Sequence, residues 1–349
     1  MTVVPHPFGL HRSLDPPGVL PQSARRLDST PRALENEIAV AVRALNVDSA
    51  SFRQMRETER STGETVEQQV LRIVGERGKM QNPVTGSGGI FLGEVREVGA
   101  RHPAAGNLRP GERIASLVSL SLTPLSIQRI KAVIASSERI ELEGTAILFE
   151  RTLWARLPGD FREEVALAAF DVAGAPAAVL RRAGADQTVV VLGTGKAGLL
   201  CLAAAREAVG PAGKVFAVDP SEAASARARG VGDADAVFTI DARDPIAVHS
   251  ALQEATRSGL ADLVVNAVNA PGTEIASVLA SKEEGTVLFF GMATSFQAAA
   301  LGAEGLAHPA TLLIGNGYVP GHAEAVLNLL RRRPRLRTAF ESLCSLGPP

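Results

Sequence analysis

The chain has 349 residues, 46% of them hydrophobic, enough for two domains of the usual ~100–200 residues, each with its own core. A net charge of −1 excludes any bulk electrostatic case for binding nucleic acid or an anionic membrane. Two cysteines, Cys201 and Cys344, exclude a disulfide framework and a cysteine-rich zinc site.

Residues 1–36 are rich in proline and read as irregular, with room for one edge strand. The first 20 lack the apolar core of a signal peptide. No apolar run reaches the ~18 residues of a membrane span, so a soluble cytoplasmic protein is expected. Glu37 to Leu45 alternates and predicts a strand. Asn46 to Phe52 reads as a polar turn. Residues 53–80 are highly charged, with Val66, Val70, Ile73 and Val74 at helical spacing, and predict an amphipathic surface helix. Asn82 to Gly89 is a glycine-rich turn. Strands are expected over Ile90 to Val98, Gly111 to Val118 and Ala146 to Leu157, the last closed by Pro158-Gly159. Short strands with little helix predict a β-rich barrel or sandwich for the first 160 residues.

From Phe161 the pattern changes. Glu163 to Phe170 is alanine-rich and helical, and Gly174-Ala175-Pro176 interrupts it. Apolar strands follow at Thr188 to Leu192, Lys214 to Val218, Ala236 to Ile240, Asp262 to Asn266 and Gly285 to Gly291, with helical patterns between them. Strands alternating with helices predict a parallel, doubly wound sheet. Gly321 to Leu330 is a final helix, and the arginine-rich run Arg331 to Arg337 reads as its solvated end.

One stretch of this second half carries a motif. The apolar run Thr188 to Leu192 leads into Gly193-Thr194-Gly195-Lys196-Ala197-Gly198, a helical pattern, a second apolar strand and Asp219. Strand, glycine turn, helix, strand and acid are the context a dinucleotide fingerprint requires. Gly193 permits the tight turn, Gly195 lets the backbone approach a pyrophosphate, and Gly198 lets helix and strand pack closely. The helix N-terminus supplies free N–H groups for phosphate. Asp219 stands about 20 residues after the last glycine, where an acid binds the ribose 2′-hydroxyl. A carboxylate there repels a 2′-phosphate, so NAD is expected over NADP.

A β-rich domain ahead of a Rossmann domain resembles the medium-chain dehydrogenase/reductase superfamily, whose catalytic domain is GroES-like. Pro83 through Gly99 and Leu108 through Ile114 are similar to that superfamily's landmarks. The resemblance implies a catalytic domain over 1–160, a dinucleotide domain over 161–314, and a return of 315–349 to the first domain. Zinc-dependent members carry a Cys near Asp48 and Gly-His-Glu where this chain reads Gly88-Gly89-Ile90. Those ligands are missing and the six histidines are scattered, so no metal is expected.

A closer resemblance, spanning nearly the whole chain, is to the L-erythro-3,5-diaminohexanoate dehydrogenase family of lysine fermentation. It is carried by polar loops, among them Gly9-Leu10-His11-Arg12, Leu45 to Phe52, Gln81 to Gly89, Asp171 to Ala177 and Ile314 to Tyr318. It implies NAD-dependent oxidative deamination of a diamino acid. A zinc-free quinone or enoyl reductase of the same superfamily is the alternative; a dinucleotide-binding protein without catalysis is a second.

Amine oxidation produces an iminium cation, which a carboxylate stabilises and a metal opposes. Three acids fall where the superfamily builds its active site: Asp48, Glu150 and Asp171. Asp48 and Glu150 are expected to bind or deprotonate the amino groups, with Asp171 nearby. The substrate carboxylate calls for a cation or N–H donors. Arg12, beside His11, is the first candidate, and the turn holding Thr85 and Ser87 the second. Ligands lie at the carboxyl ends of parallel strands, which places Asn266, Val268, Asn269 and Met292 around the nicotinamide. A homodimer is expected, paired through the strand Thr286 to Phe290.

Overall fold

The alternating run after Glu37 forms the strand around which the first half of the chain is wound. The computed structural model describes residues 5–345 apart from 258 and 292. The chain divides between Asp160 and Phe161 into two units. In the first, an antiparallel pair, β1 (Ser13–Asp15) and β2 (Arg26–Leu27), precedes β3 (Ile38–Asn46). Two helices follow, α1 (Ser49–Thr62) and α2 (Val66–Arg77). Then come β4 (Ile90–Val98), β5 (Arg113–Ser116), β6 (Leu125–Ile134), β7 (Arg139–Leu148) and β8 (Trp154–Arg156). The sheet runs β6-β7-β3-β4-β5-β8, antiparallel throughout. Leu45 pairs with Phe91 on one side and Ile140 on the other, and all three are fully buried. Burying a side chain of this size stabilises by about 1.5–3 kcal/mol.

Three local expectations are corrected. The segment 53–80 is two helices. Gly63, left-handed at φ 79°, ends α1, and Thr65 starts α2 with a capping box to Gln68. Asn46 to Phe52 is a turn only at its start, because Asp48 caps α1. Ala146 to Leu157 is not one strand: β7 ends at Leu148, and the Phe149 N–H turns back to Thr152 Oγ1 at 2.9 Å.

The second unit opens with α3 (Glu163–Asp171) and α4 (Gly174–Arg182), broken at the expected Gly-Ala-Pro. It continues β9 (Thr188–Leu192), α5 (Lys196–Val209), β10 (Lys214–Val218), α6 (Glu222–Val231), β11 (Ala236–Phe238) and α7 (Pro245–Thr256). It ends β12 (Ala261–Asn266), α8 (Glu274–Ala280), β13 (Ser281–Phe289), α9 (Phe296–Gly305), β14 (Thr311–Ile314), α10 (His322–Arg332) and α11 (Pro334–Ser345). The sheet is parallel in the order β11-β10-β9-β12-β13-β14. Strand order reverses between β9 and β12, where doubly wound folds open their ligand crevice.

Two further expectations change here. The described part of 315–349 does not return to the first unit. α10 and α11 pack on α3 and α5, burying Leu329, Leu330, Leu336 and Phe340. The arginine run is knitted into this packing. Arg337 lies 4.2 Å over the Phe161 ring, Arg332 pairs with Glu207 at 2.8 Å, and Arg333 pairs with Asp233. The strand expected to pair across a dimer, Thr286 to Phe290, lies between β12 and β14 and has no open edge.

Candidate active site and dinucleotide turn

The glycine turn between β9 and α5 has the shape a pyrophosphate needs. Gly193 sits at φ 84°, a region L side chains rarely adopt. A Cβ on Gly198 would lie 1.8 Å from the Gly193 carbonyl oxygen, so only glycine lets α5 approach β9. A Cβ on Gly195 would meet nothing within 4 Å; its front is open for a ligand. Gly195 is the N-cap of α5 and provides no side-chain cap, so the first-turn N–H groups, those of Lys196 and Ala197 among them, face outward for an anion.

Asp219 ends β10 and is tied to this turn. Its Oδ2 accepts from the Thr194 N–H at 2.7 Å and from the Thr194 hydroxyl at 2.9 Å, while Oδ1 accepts from Ser221 N at 2.9 Å. Thr194 is fully buried, so the carboxylate is fixed beside the glycines, as ribose recognition requires. Val268 also lines the turn, its Cγ2 3.1 Å from where a Gly193 Cβ would stand. Asn269 is exposed in the same loop. Asn266 is a correction. It is fully buried, donates to Thr273 and Ser277 at 2.8 Å each, and accepts from Val268 N at 3.0 Å. It shapes the loop after β12 rather than facing a ligand. Met292 lies outside the described residues.

In the first unit, Asp48 stands just past the end of β3. Its Oδ1 accepts from Ser51 N at 2.9 Å, the usual work of a helix cap. Its Oδ2 is buried and makes no hydrogen bond among the described residues. Ser51 in turn places its hydroxyl 2.5 Å from that of Thr85. Thr85 and Ser87 belong to a turn organised by the buried Asn82, which accepts from Val84 N at 2.8 Å and donates to Gln54 Oε1 at 2.8 Å. Gly89, at φ 82°, closes that turn onto β3; a Cβ there would be 2.0 Å from the Asn46 carbonyl oxygen. Asp48, Thr85 and Ser87 are thus brought together, and Ser51, Gln54 and Asn82 are partners the motif reading missed. The Asn-Pro-x-Thr of the turn and the polar residue three after Asp48 were legible signals for both caps.

The other candidates of this unit lie elsewhere. Arg12 is 2% exposed. Its guanidinium meets both Glu37 oxygens, at 3.0 and 2.6 Å, and the carbonyls of Asp28, Thr30 and Arg32. It is committed to the fold and is withdrawn as the carboxylate partner. His11 is built into the same network. Its Nδ1 accepts from His6 N at 2.9 Å, so Nε2 carries the proton toward Glu37 at 2.8 Å. Burial opposes charge on Glu37, but hydrogen bonds from His11 and Arg12, the Arg12 charge and the Leu34 N–H outweigh it and hold the carboxyl below its ordinary value. Glu150 accepts from Asn36 Nδ2 at 3.1 Å, at the head of β3. Ile38 pairs with Leu148 there, while Asn46 pairs with Arg139 at the far end. The nine residues of β3 span roughly 30 Å at about 3.3 Å each. Asp48 and Glu150 therefore cannot share one small substrate.

Asp171 is exposed at the C-terminal end of α3, where the helix dipole disfavours a negative charge. The neighbouring corner is tight: a Cβ on Gly174 would lie 2.4 Å from the Gly317 backbone. Of the other histidines, His249 bonds the Leu279 carbonyl and His308 that of Ser281. Among the described residues, no three His, Cys, Asp or Glu side chains gather as a metal site, and no helix is long and apolar enough to cross a membrane.

The profile of the L-erythro-3,5-diaminohexanoate dehydrogenase N-terminal domain matches residues 11–158. The chain is 43% identical over 96% of its length to the L-erythro-3,5-diaminohexanoate dehydrogenase of Acetoanaerobium sticklandii, covering 98% of that protein. It is 44% identical, with the same coverage, to the enzyme of that name from Fusobacterium nucleatum. Among solved structures it is similar to an alcohol dehydrogenase from Thermotoga maritima, with a TM-score of 0.56 and 16% identity over 88% of this chain and 85% of that one. The fold is that of a GroES-like domain with a Rossmann domain, and the chain belongs to the L-erythro-3,5-diaminohexanoate dehydrogenase family.

Proposed function

We propose that the protein oxidatively deaminates L-erythro-3,5-diaminohexanoate to 5-amino-3-oxohexanoate with NAD, in lysine degradation in the cytoplasm. The observation that carries this is the similarity to two enzymes of that name along 96% of the chain. The C3 hydrogen leaves as hydride, water adds to the iminium carbon, and ammonium departs. Each turnover consumes NAD and water and yields NADH, ammonium and a proton.

The bound dinucleotide supplies the hydride acceptor. Gly193 to Gly198 and the start of α5 hold its phosphates, and Asp219 accepts from the adenosine ribose and turns away a 2′-phosphate. Asp48 is the lead carboxylate. The Ser51 N–H anchors Oδ1 and directs Oδ2 to the substrate ammonium. That oxygen takes the ammonium proton and passes it to solvent, and as a carboxylate again it stabilises the iminium and then activates water. Thr85 and Ser87 supply polar wall. No step calls for zinc, because the developing charge is positive.

We further propose a homodimer joined through β14. This edge strand has neither Lys nor Pro within Thr311–Ile314, and Ile314 is 63% exposed. The opposite edge, β11, is guarded by Arg229, which donates to the Val237 carbonyl.

The test is NADH absorbance with NAD and the diamino acid, with and without a chelator. NADH formation that survives the chelator is expected. Reduction of quinones or enones instead, with no deamination, would overturn the assignment.

A further inference from the structure

We infer that Asn82 is a positioning residue for Asp48: it holds the loop that clamps the first turn of α1, and Asp48 caps that turn. The inference rests on the proposed reading in which Asp48 is the base. Asp48 is aimed by a single side-chain contact. Its Oδ1 accepts from Ser51 N at 2.9 Å, and its buried Oδ2 has no hydrogen bond among the described residues. The direction of Oδ2 therefore depends on where the Ser51 N–H stands. First turns of helices fray, because their N–H groups lack partners within the helix. An outside hold is needed to keep that donor still.

Asn82 builds the hold. It is fully buried. Its Oδ1 accepts from Val84 N at 2.8 Å and from Thr85 N at 3.3 Å. Its own N–H donates to the Ser87 carbonyl and its carbonyl accepts from Gly86 N, both at 2.8 Å. These bonds close residues 82–87 into one loop. They also fix the orientation of the amide: a backbone N–H can donate only to its oxygen, so Nδ2 points the other way. Nδ2 donates to Gln54 Oε1 at 2.8 Å. Gln54 is held in turn, its Nε2 donating to Thr58 Oγ1 at 2.9 Å.

The loop grips α1 at two places. Thr85 Oγ1 lies 2.5 Å from Ser51 Oγ, and Asn82 meets Gln54, three residues on, along the same helix face. Ser51 is thus caught between Thr85 at its hydroxyl and Asp48 at its N–H. Asparagine suits both tasks. Alanine in its place loses the acceptor that folds the loop and the donor that reaches α1 together.

The experiment is a double-mutant cycle on kcat for the diamino acid, with Asn82→Ala, Asp48→Asn and the two combined. N82A should lower kcat by about 10–10²-fold, the cost of misplacing a reacting group by about 1 Å. KM for NAD, and NADH affinity read by fluorescence titration, should stay at wild type. In the D48N background the same change should cost no more than about 2-fold, because the group that Asn82 positions is already gone. Equal losses in the two backgrounds, or a wild-type kcat for N82A, overturn the inference. If N82A does not fold, Gln54→Leu removes the same grip from the helix side and takes its place in the cycle, under the same criteria. If D48N falls below detection, the split between constants decides, and a loss carried by KM instead of kcat overturns the inference. A wild-type kcat for D48N shows that Asp48 is not the base and removes the inference while deamination stands. Absence of NADH from wild type is a different result, which removes the deaminase reading itself.

Discussion

Lys79 is among the largest fully buried side chains of the described residues, and its ammonium donates to the Pro21 carbonyl at 2.6 Å. Burial, with the Arg77 charge, lowers its pKa to about 8; in the unfolded chain it titrates near 10.4. Between these values the unfolded state binds more protons, so stability should rise with pH from about 8 to 10. Lys79→Met should abolish that rise and melt higher than wild type at pH 7. Thermal unfolding of both proteins at pH 7 and 9.5 checks this, and equal slopes would sink it. At Asp219, replacement by Ser should shift the NAD-over-NADP ratio of kcat/KM at least 10-fold toward NADP, since like-charge repulsion is worth several kcal/mol; an unchanged ratio removes Asp219 as the discriminator. Residue identity alone was an uneven guide. Asp219 lies against the glycine turn, where its spacing from the glycines predicts it. Arg12 and Asn266 were misread because their type suits ligands and core networks equally, and only Glu37, Thr273 and Ser277 reveal which.

Elements were legible where one period dominated. The parallel strands of the second unit are continuous apolar runs, and four of the five expected there begin and end within two residues of the prediction; β13 starts four residues early, at Ser281. Arg139-Ile140-Glu141-Leu142-Glu143 also alternates, yet the charged half masked it, and with it went the start of β7 and the whole of β6. The α1–α2 break was hidden because both helices are charged and continuous in pattern; Gly63 and the Thr65 box were the available signals. The glycine turn gives the sharpest element-scale prediction. Gly198→Ala would place a methyl 1.8 Å from the Gly193 carbonyl, pushing α5 off β9. Dinucleotide affinity should fall at least 10-fold, read by NADH fluorescence titration, while Gly195→Ala, with open space around it, should leave the melting temperature unchanged.

For the whole molecule, the domain order was readable from the change in pattern at Phe161, whereas the place of the last helices was not. α10 and α11 carry apolar faces that fit any partner; their companions Phe161, Glu207 and Asp233 are remote in sequence. Oligomerisation is decided at this scale too. Ile314→Lys puts a charge on the bare β14 edge and should convert a dimer to a monomer in sedimentation velocity at micromolar concentration; an unaltered sedimentation coefficient would exclude β14 as the interface.

The pair of Arg12 and Glu37 makes the segment around residues 6–13 a tethered ligand of its own domain. Gly9, at φ 80°, lies so close to Phe149 that a Cβ would stand 2.3 Å from the ring, and His11 and Arg12 fill a socket whose floor is the Glu37 carboxylate. Such an arrangement behaves as a plug rather than a strand. A chain beginning at Ser13 would carry an empty anionic socket, and a synthetic peptide of residues 5–12 should restore its melting temperature in proportion to the logarithm of peptide concentration, as for any bound ligand.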